Sequence, residues 1–158
     1  MDLSCCYSGA MVQKEKTAIA FGSFDIIHPG HIHYLKGAAR YGKLTVVVAR
    51  DRSIRLIKGS DPVMNEQARV KIIGAIRFVD RAVLGRRVGK LNEMYKVLLR
   101  FRPDTIVLGY DQNVDMDYLK WFLGKNRLRS KIVRLPPHRD EIFKSSKLKR
   151  LIRESHVL

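Results

Sequence analysis

One ten-residue run, Gly22-Ser23-Phe24-Asp25-Ile26-Ile27-His28-Pro29-Gly30-His31, constrains the fold of this chain more than any other stretch. An apolar segment, Thr17 to Phe21, precedes it and reads as a short buried strand. After it, Leu35, Ala38 and Ala39 recur at helical spacing within His33 to Gly42, with Gly42 as the stop. The run therefore occupies a strand-to-helix turn, where unpaired N–H groups and the positive end of a helix dipole can hold an anion. His28 and His31, three apart at the start of that helix, project to the same side. Pro29 suits a first helical turn because it has no N–H to lose. Gly30 removes the side chain that would keep a triphosphate from the backbone. The turn is a phosphate cradle.

A Gly-x-Phe-Asp-x-x-His-x-Gly-His run between a first strand and a helix resembles the nucleotidyltransferases of the cytidylyltransferase type. The resemblance implies transfer of a nucleoside monophosphate from a nucleoside triphosphate to a phosphate group, with release of pyrophosphate and with Mg2+ accompanying the triphosphate. It also implies that His28 and His31 are catalytic, and that Gly22, Ser23, Phe24, Asp25 and Gly30 belong to the nucleotide site. Members of the family are often dimers, so a homodimer is an expectation of the same kind.

The rest of the chain alternates strand and helix patterns. Leu44 to Ala49 is β-branched and unbroken, as in a strand buried on both faces. Arg50 to Gly59 reads as a charged connection, helical at most briefly. Asn65 to Ile76 is a helix with Asn65 as cap, and Val79 to Leu84 a short strand. Leu91 to Phe101 is a helix stopped by Pro103, followed by a buried strand, Thr105 to Leu108. Asp115 to Gly124 is a helix, Lys131 to Leu135 a last strand, and Ser145 to Glu154 a final basic helix. Strands spaced by helices predict one doubly wound, Rossmann-like α/β domain with a parallel sheet of about five strands. In such sheets the ligand sits beyond the carboxyl ends of the strands, where strand order reverses.

Three later segments bear on that crevice. Lys58-Gly59 follows the second strand, and a Lys on a Gly-containing loop can neutralise charge as pyrophosphate leaves. The family resemblance matches Lys58 and Arg69 to phosphate contacts, while surface cations remain the alternative. Gly109 and Asp111 follow the fourth strand, where the glycine lets the backbone pass close to a base and the carboxylate accepts a hydrogen bond; a plain turn is the alternative. Ser145 and Ser146 open the last helix, a second anion site at a helix start, or simply a cap. The family carries consecutive Ser/Thr residues before an aliphatic at this point, in contact with the nucleotide phosphates. Gly85 to Lys90 approaches a P-loop but has one residue too few between its glycines, and no Gly-x-Gly-x-x-Gly occurs. His33 and His138 read as structural or solvent-facing.

At 158 residues the chain fits one domain, 17–158, after a polar leader, 1–16, expected to be poorly ordered, with Met11 as an alternative translation start. Cys5 and Cys6 are adjacent and complete no metal set, and no signal segment is evident, so the reading is a cytoplasmic protein without a membrane span. The net charge of +16 admits two readings, a polyanion binder such as an RNA-binding module, or a handler of small, highly charged anions. Dispersed cations without interleaved aromatics favour small anions over nucleic acid.

A phosphate acceptor is already ionised and needs no general base, which suits a chain lacking any Ser/His/Asp or Cys/His set. Ala49-Arg50-Asp51, Val79-Asp80, Pro103 to Gly109 and Asp111-Gln112 most resemble the archaeal FAD synthases, over about residues 17–153. That resemblance implies ATP and FMN as substrates. Leu56 to Gly59 with Pro62-Val63 is also similar to sugar-phosphate adenylyltransferases, and the CTP-dependent glycerol-3-phosphate and ethanolamine-phosphate enzymes compete.

Overall fold

The computed structural model describes residues 14–86, 91–137 and 145–154. Five parallel strands, β1 (Thr17–Gly22), β2 (Lys43–Val48), β3 (Arg81–Leu84), β4 (Thr105–Leu108) and β5 (Lys131–Arg134), form one sheet in the order β3-β2-β1-β4-β5. The expected doubly wound sheet is present, and its order reverses beside β1. Six residues of β1 pair with β2, from Thr17 opposite Lys43 to Gly22 opposite Val48. Toward β4 the register ends at Ala20 opposite Val107. Beyond that point the two strands part.

Alternation along each strand splits the core between the two faces. Ala18, Ala20, Val46, Val48 and Val107 pack with Leu35, Ala38 and Ile73 of helices α1 (Pro29–Ala39) and α3 (Glu66–Gly74). Ile19, Phe21, Val47, Ile106 and Leu108 pack on the opposite face. There they meet a 3-10 turn, Leu91–Lys96, that leads into α4 (Val97–Phe101), and α5 (Met116–Lys125). The last helix, α6, spans Ser145–Glu154. Side-chain caps hold two of the helix starts, Asn65 accepting from Ala68 N at 2.9 Å and Asp115 from Tyr118 N at 2.9 Å.

Two expectations are corrected. Arg50 to Gly59 is no brief connection but a helix, α2 (Asp51–Lys58), with Ile54 buried and Asp51 in its first turn. Gly59 ends it in the left-handed conformation (φ 70°), its N–H on Arg55 O. Leu91 to Phe101 is a 3-10 turn followed by one α-helical turn and a half, rather than a single helix. Gly42 is also more than a stop, because at φ 133° a Cβ would lie 2.2 Å from Lys16 O. Of the expected leader, Glu15 pairs with Lys43; residues 1–13, with Cys5, Cys6 and Met11, lie outside the described residues. So do His138 and residues 87–90, the second half of the Gly85 to Lys90 run. No helix among the described residues is long and apolar enough to cross a membrane.

Candidate active site

The turn between β1 and α1 is folded back on itself. Phe24 takes φ 49°, and its ring lies over Gly22, where a Cβ would meet ring carbons at 2.5 Å. A non-glycine residue in that conformation is held there only by surrounding packing, and Phe24 is 1 % exposed. The same ring meets His31 edge-on, centroids 5.2 Å apart. His31 in turn stacks on His28, 3.8 Å between centroids and 22° between planes. Phe24 thus props up the pair.

Both imidazoles are held neutral at physiological pH. Burial pushes His31 down to about 3, helped by the neighbouring His28 and Lys58, while a backbone hydrogen bond at Ile26 opposes it. Burial also lowers His28, and Asp111 acts against that. A neutral imidazole still donates one N–H, and a bound phosphate would draw a second proton onto the ring. Pro29 occupies the first position of α1 and the His28 side chain makes no cap, so the positive helix end is open to an anion.

Lys58, the last residue of α2, reaches across to donate to Ser23 Oγ at 3.0 Å. Desolvation and Lys149 lower its pKa, against Asp25 and Asp111. Such a cation is poorly hydrated and gains by pairing with an incoming phosphate. Opposite it, the segment after β4 is fixed by Arg134, whose Nη1 donates to Gly109 O at 2.7 Å and Gln112 O at 2.9 Å. Gln112 Nε2 donates to Phe21 O at 2.6 Å, and Tyr34 OH to Val107 O at 2.8 Å. These two side chains occupy the parting of β1 and β4, which is where the crevice opens.

Gly22, Ser23, Phe24, His28, Gly30, His31, Lys58, Gly109 and Asp111 all line one cavity of about 1320 Å³. The cavity runs from the turn, across the carboxyl ends of the strands, to Met94, Tyr95 and Tyr118. Asp25 and Arg69, expected on the nucleotide, are not in its lining. Asp25 is 2 % exposed and accepts from Val63 N at 2.8 Å and Met64 N at 3.0 Å. Arg69 is fully enclosed: its guanidinium donates to Ser23 O, Met64 O, Ala49 O and Asp51 Oδ1. Three segments, the turn at Ser23, residues 49–51 and the loop at Met64, are therefore tied to one buried cation, a structural duty that sequence spacing could not separate from phosphate binding. Ser145 and Ser146 form the first turn of α6. Tyr34, Gln112 and Arg134 escaped sequence reading because hydrogen bonds to distant carbonyls leave no local pattern. The Asp111-Gln112 dipeptide was the one available signal.

A phosphate cradle with paired histidines at the switch point of a doubly wound sheet defines a nucleotidyltransferase of the α/β class. The chain belongs to the cytidylyltransferase-like family, whose model matches residues 19–152. It is 42 % identical over 118 residues to the FAD synthase of Archaeoglobus fulgidus, covering 74 % of this chain and 82 % of that one. It is 40 % identical over 147 residues to the FAD synthase of Korarchaeum cryptofilum, covering 90 % and 96 %. Among solved structures, the lipopolysaccharide core biosynthesis protein of Thermoplasma volcanium superposes with a TM-score of 0.72 at 40 % identity, over 79 % of this chain and 99 % of that one.

Proposed function

We propose that this protein is an FMN adenylyltransferase, moving AMP from ATP to FMN to give FAD and pyrophosphate. The observation that carries the reading is the two-sided cavity: the histidine turn with Lys58 at one end and an apolar, aromatic end formed by Met94, Tyr95, Leu98 and Tyr118. ATP alone does not need about 1320 Å³, which exceeds ordinary ligand cavities of roughly 300–1,000 Å³. An aromatic ring system suits that apolar and aromatic lining. The named relatives support the same acceptor.

The acceptor phosphate is ionised at neutral pH and attacks the α-phosphorus of ATP in line. The new P–O bond forms as the bond to the β-phosphate bridging oxygen breaks, and pyrophosphate carries off the electron pair. No proton has to move for this. His28 and His31 donate to the α-phosphate oxygens as charge gathers there, and Lys58 neutralises the departing pyrophosphate. Ser23, Gly30, Gly109, Asp111, Ser145 and Ser146 hold the nucleotide around them.

A divalent cation such as Mg2+ fits as a companion of the triphosphate rather than a resident of the protein. Its ligands would be the phosphate oxygens, which suit a hard divalent cation. When bound, it supplies charge neutralisation.

Pyrophosphate release with ATP or CTP, each offered FMN, glycerol 3-phosphate and a hexose or heptose 1-phosphate, tests the proposal. Release only with ATP and FMN, matched by FAD on chromatography, is the expected result. Release with another pair moves the acceptor, and release with none removes the reading.

A further inference from the structure

We propose that Lys149 is a positioning residue that seats the last helix on the catalytic turn by pairing with buried Asp25. The proposal rests on the nucleotidyl-transfer reading of the site but not on which acceptor is used.

Asp25 lies three residues before His28 and is 2 % exposed. One of its oxygens is fully engaged by the N–H groups of Val63 and Met64, from the loop after α2. The other forms an ion pair with Lys149 Nζ, from the middle of α6. A single carboxylate thus joins the turn, the loop after α2 and α6. Burial alone would raise its pKa; Lys149 and the Met64 and Val63 N–H groups outweigh that and hold it low.

Burial of apolar surface does little to seat α6, since Leu151 and Ile152 remain 56 % and 51 % exposed. The Lys149 side chain, by contrast, is only 23 % exposed, so the pair is shielded from water and resists screening. Positions 145 and 146 are one helical turn before Lys149 and share its face. Seating Lys149 on Asp25 therefore presents the N-terminal turn of α6 to the crevice, where a triphosphate would complete it. Without the pair, Asp25 is a buried charge lacking its counter-ion, and the helix loses its hold on the turn.

A helix seated only one-tenth of the time weakens a ligand that needs it about tenfold. ATP binding by calorimetry and steady-state pyrophosphate release would be measured for Lys149→Met, Lys149→Arg, Asp25→Asn and the Asp25→Asn/Lys149→Met double variant. Asn at position 25 keeps an oxygen for Val63 and Met64 and replaces the charged oxygen that faces Lys149 with a neutral amide nitrogen. The double variant leaves no buried charge unpaired, so it folds even where Lys149→Met does not. Lys149→Met is expected to weaken ATP and raise its KM about tenfold, with the acceptor KM unchanged. Lys149→Arg recovers most of the loss, Asp25→Asn reproduces it, and the double variant loses no more than either single one. Lys125→Met, an equal charge change on exposed surface, leaves all constants unchanged.

Wild-type affinity in Lys149→Met overturns the proposal, as do losses that multiply in the double variant. Full affinity in Asp25→Asn beside a loss in Lys149→Met overturns it too, making Lys149 a direct phosphate ligand. A wild type that binds ATP but makes no FAD touches only the acceptor. A wild type that binds no ATP sinks the nucleotidyl-transfer reading, and this one with it.

Discussion

Half-buried His31 and fully buried Arg69 are ionisable groups at the same turn, and their environments give them opposite duties. Arg69 spends its donors on three backbone carbonyls and Asp51, so nothing remains for a substrate. Arg69→Met should destabilise the fold by about 3 kcal/mol in denaturant titration, since it strands those carbonyls and a partly buried carboxylate. Its effect on kcat in the folded fraction should be the smaller one. His28 behaves the other way. His28→Ala should cut kcat on the order of 10²–10³-fold while leaving the melting temperature within a few degrees, because a transition-state donor is lost and little packing goes with it. His31 also sets a pH dependence of stability. Its folded pKa is about 3 against 6.5 unfolded, so between those values the unfolded chain holds the extra proton. The stabilisation is fully present above about pH 6.5 and is lost as pH falls toward 3, with a slope of up to about 1.4 kcal/mol per pH unit. Chemical denaturation at a series of pH values should show that slope, and His31→Gln should flatten it.

Elements whose faces obey one strong period were legible from the sequence, and those set by distant partners were not. β4 coincides with the apolar run Thr105–Leu108, since a central parallel strand buries every side chain and leaves an unbroken apolar signature. α2 was hidden because it buries a single residue, Ile54, and leaves Leu56 and Ile57 more than half exposed. Its apolar stripe is too thin to register, and it is held instead by polar ties at its start. Arg50 pairs with Glu66 at 2.6 Å, while Asp51 N and Glu66 N each meet the other residue's carboxylate, at 3.1 and 3.2 Å. The cavity was legible on its phosphate side, where the turn, Lys58 and Gly109 are set by short-range spacing. Its aromatic side was not, because Met94, Tyr95 and Tyr118 converge from two elements and look like ordinary core positions along the chain. The parting of β1 and β4 gives a test at this scale. Tyr34 OH donates to Val107 O at 2.8 Å from a partly buried position, and desolvation raises its pKa. Tyr34→Phe should therefore cost about 1 kcal/mol in stability. It should also raise the ATP KM, since the crevice floor loses its brace.

Across the whole molecule, charge decides how the protein responds to solution conditions. A net +16 on 158 residues repels itself most in the compact state. Lys58 and Lys149 sharpen that repulsion at the crevice, where Lys149 is among the causes that lower the Lys58 pKa. A polyanionic ligand would relieve it, and so would salt, but by different routes. Raising salt from about 20 to 300 mM shortens the Debye length from roughly 20 to 6 Å and screens the surface cations everywhere. The melting temperature of the free protein should therefore rise with salt. ATP acts by occupancy, adding about 2.7 kcal/mol at a hundredfold excess over its Kd. That increment should shrink as salt rises, because the same ions weaken the attraction of a triphosphate to the turn. Melting curves over a grid of salt and ATP separate the two effects. In the small-anion reading, the wild type shows an ATP increment alongside the salt response, and His28→Ala leaves both in place while kcat falls. A salt response without any ATP increment in the wild type would instead mark a surface built for long polyanions, with log affinity for RNA falling steeply against log salt.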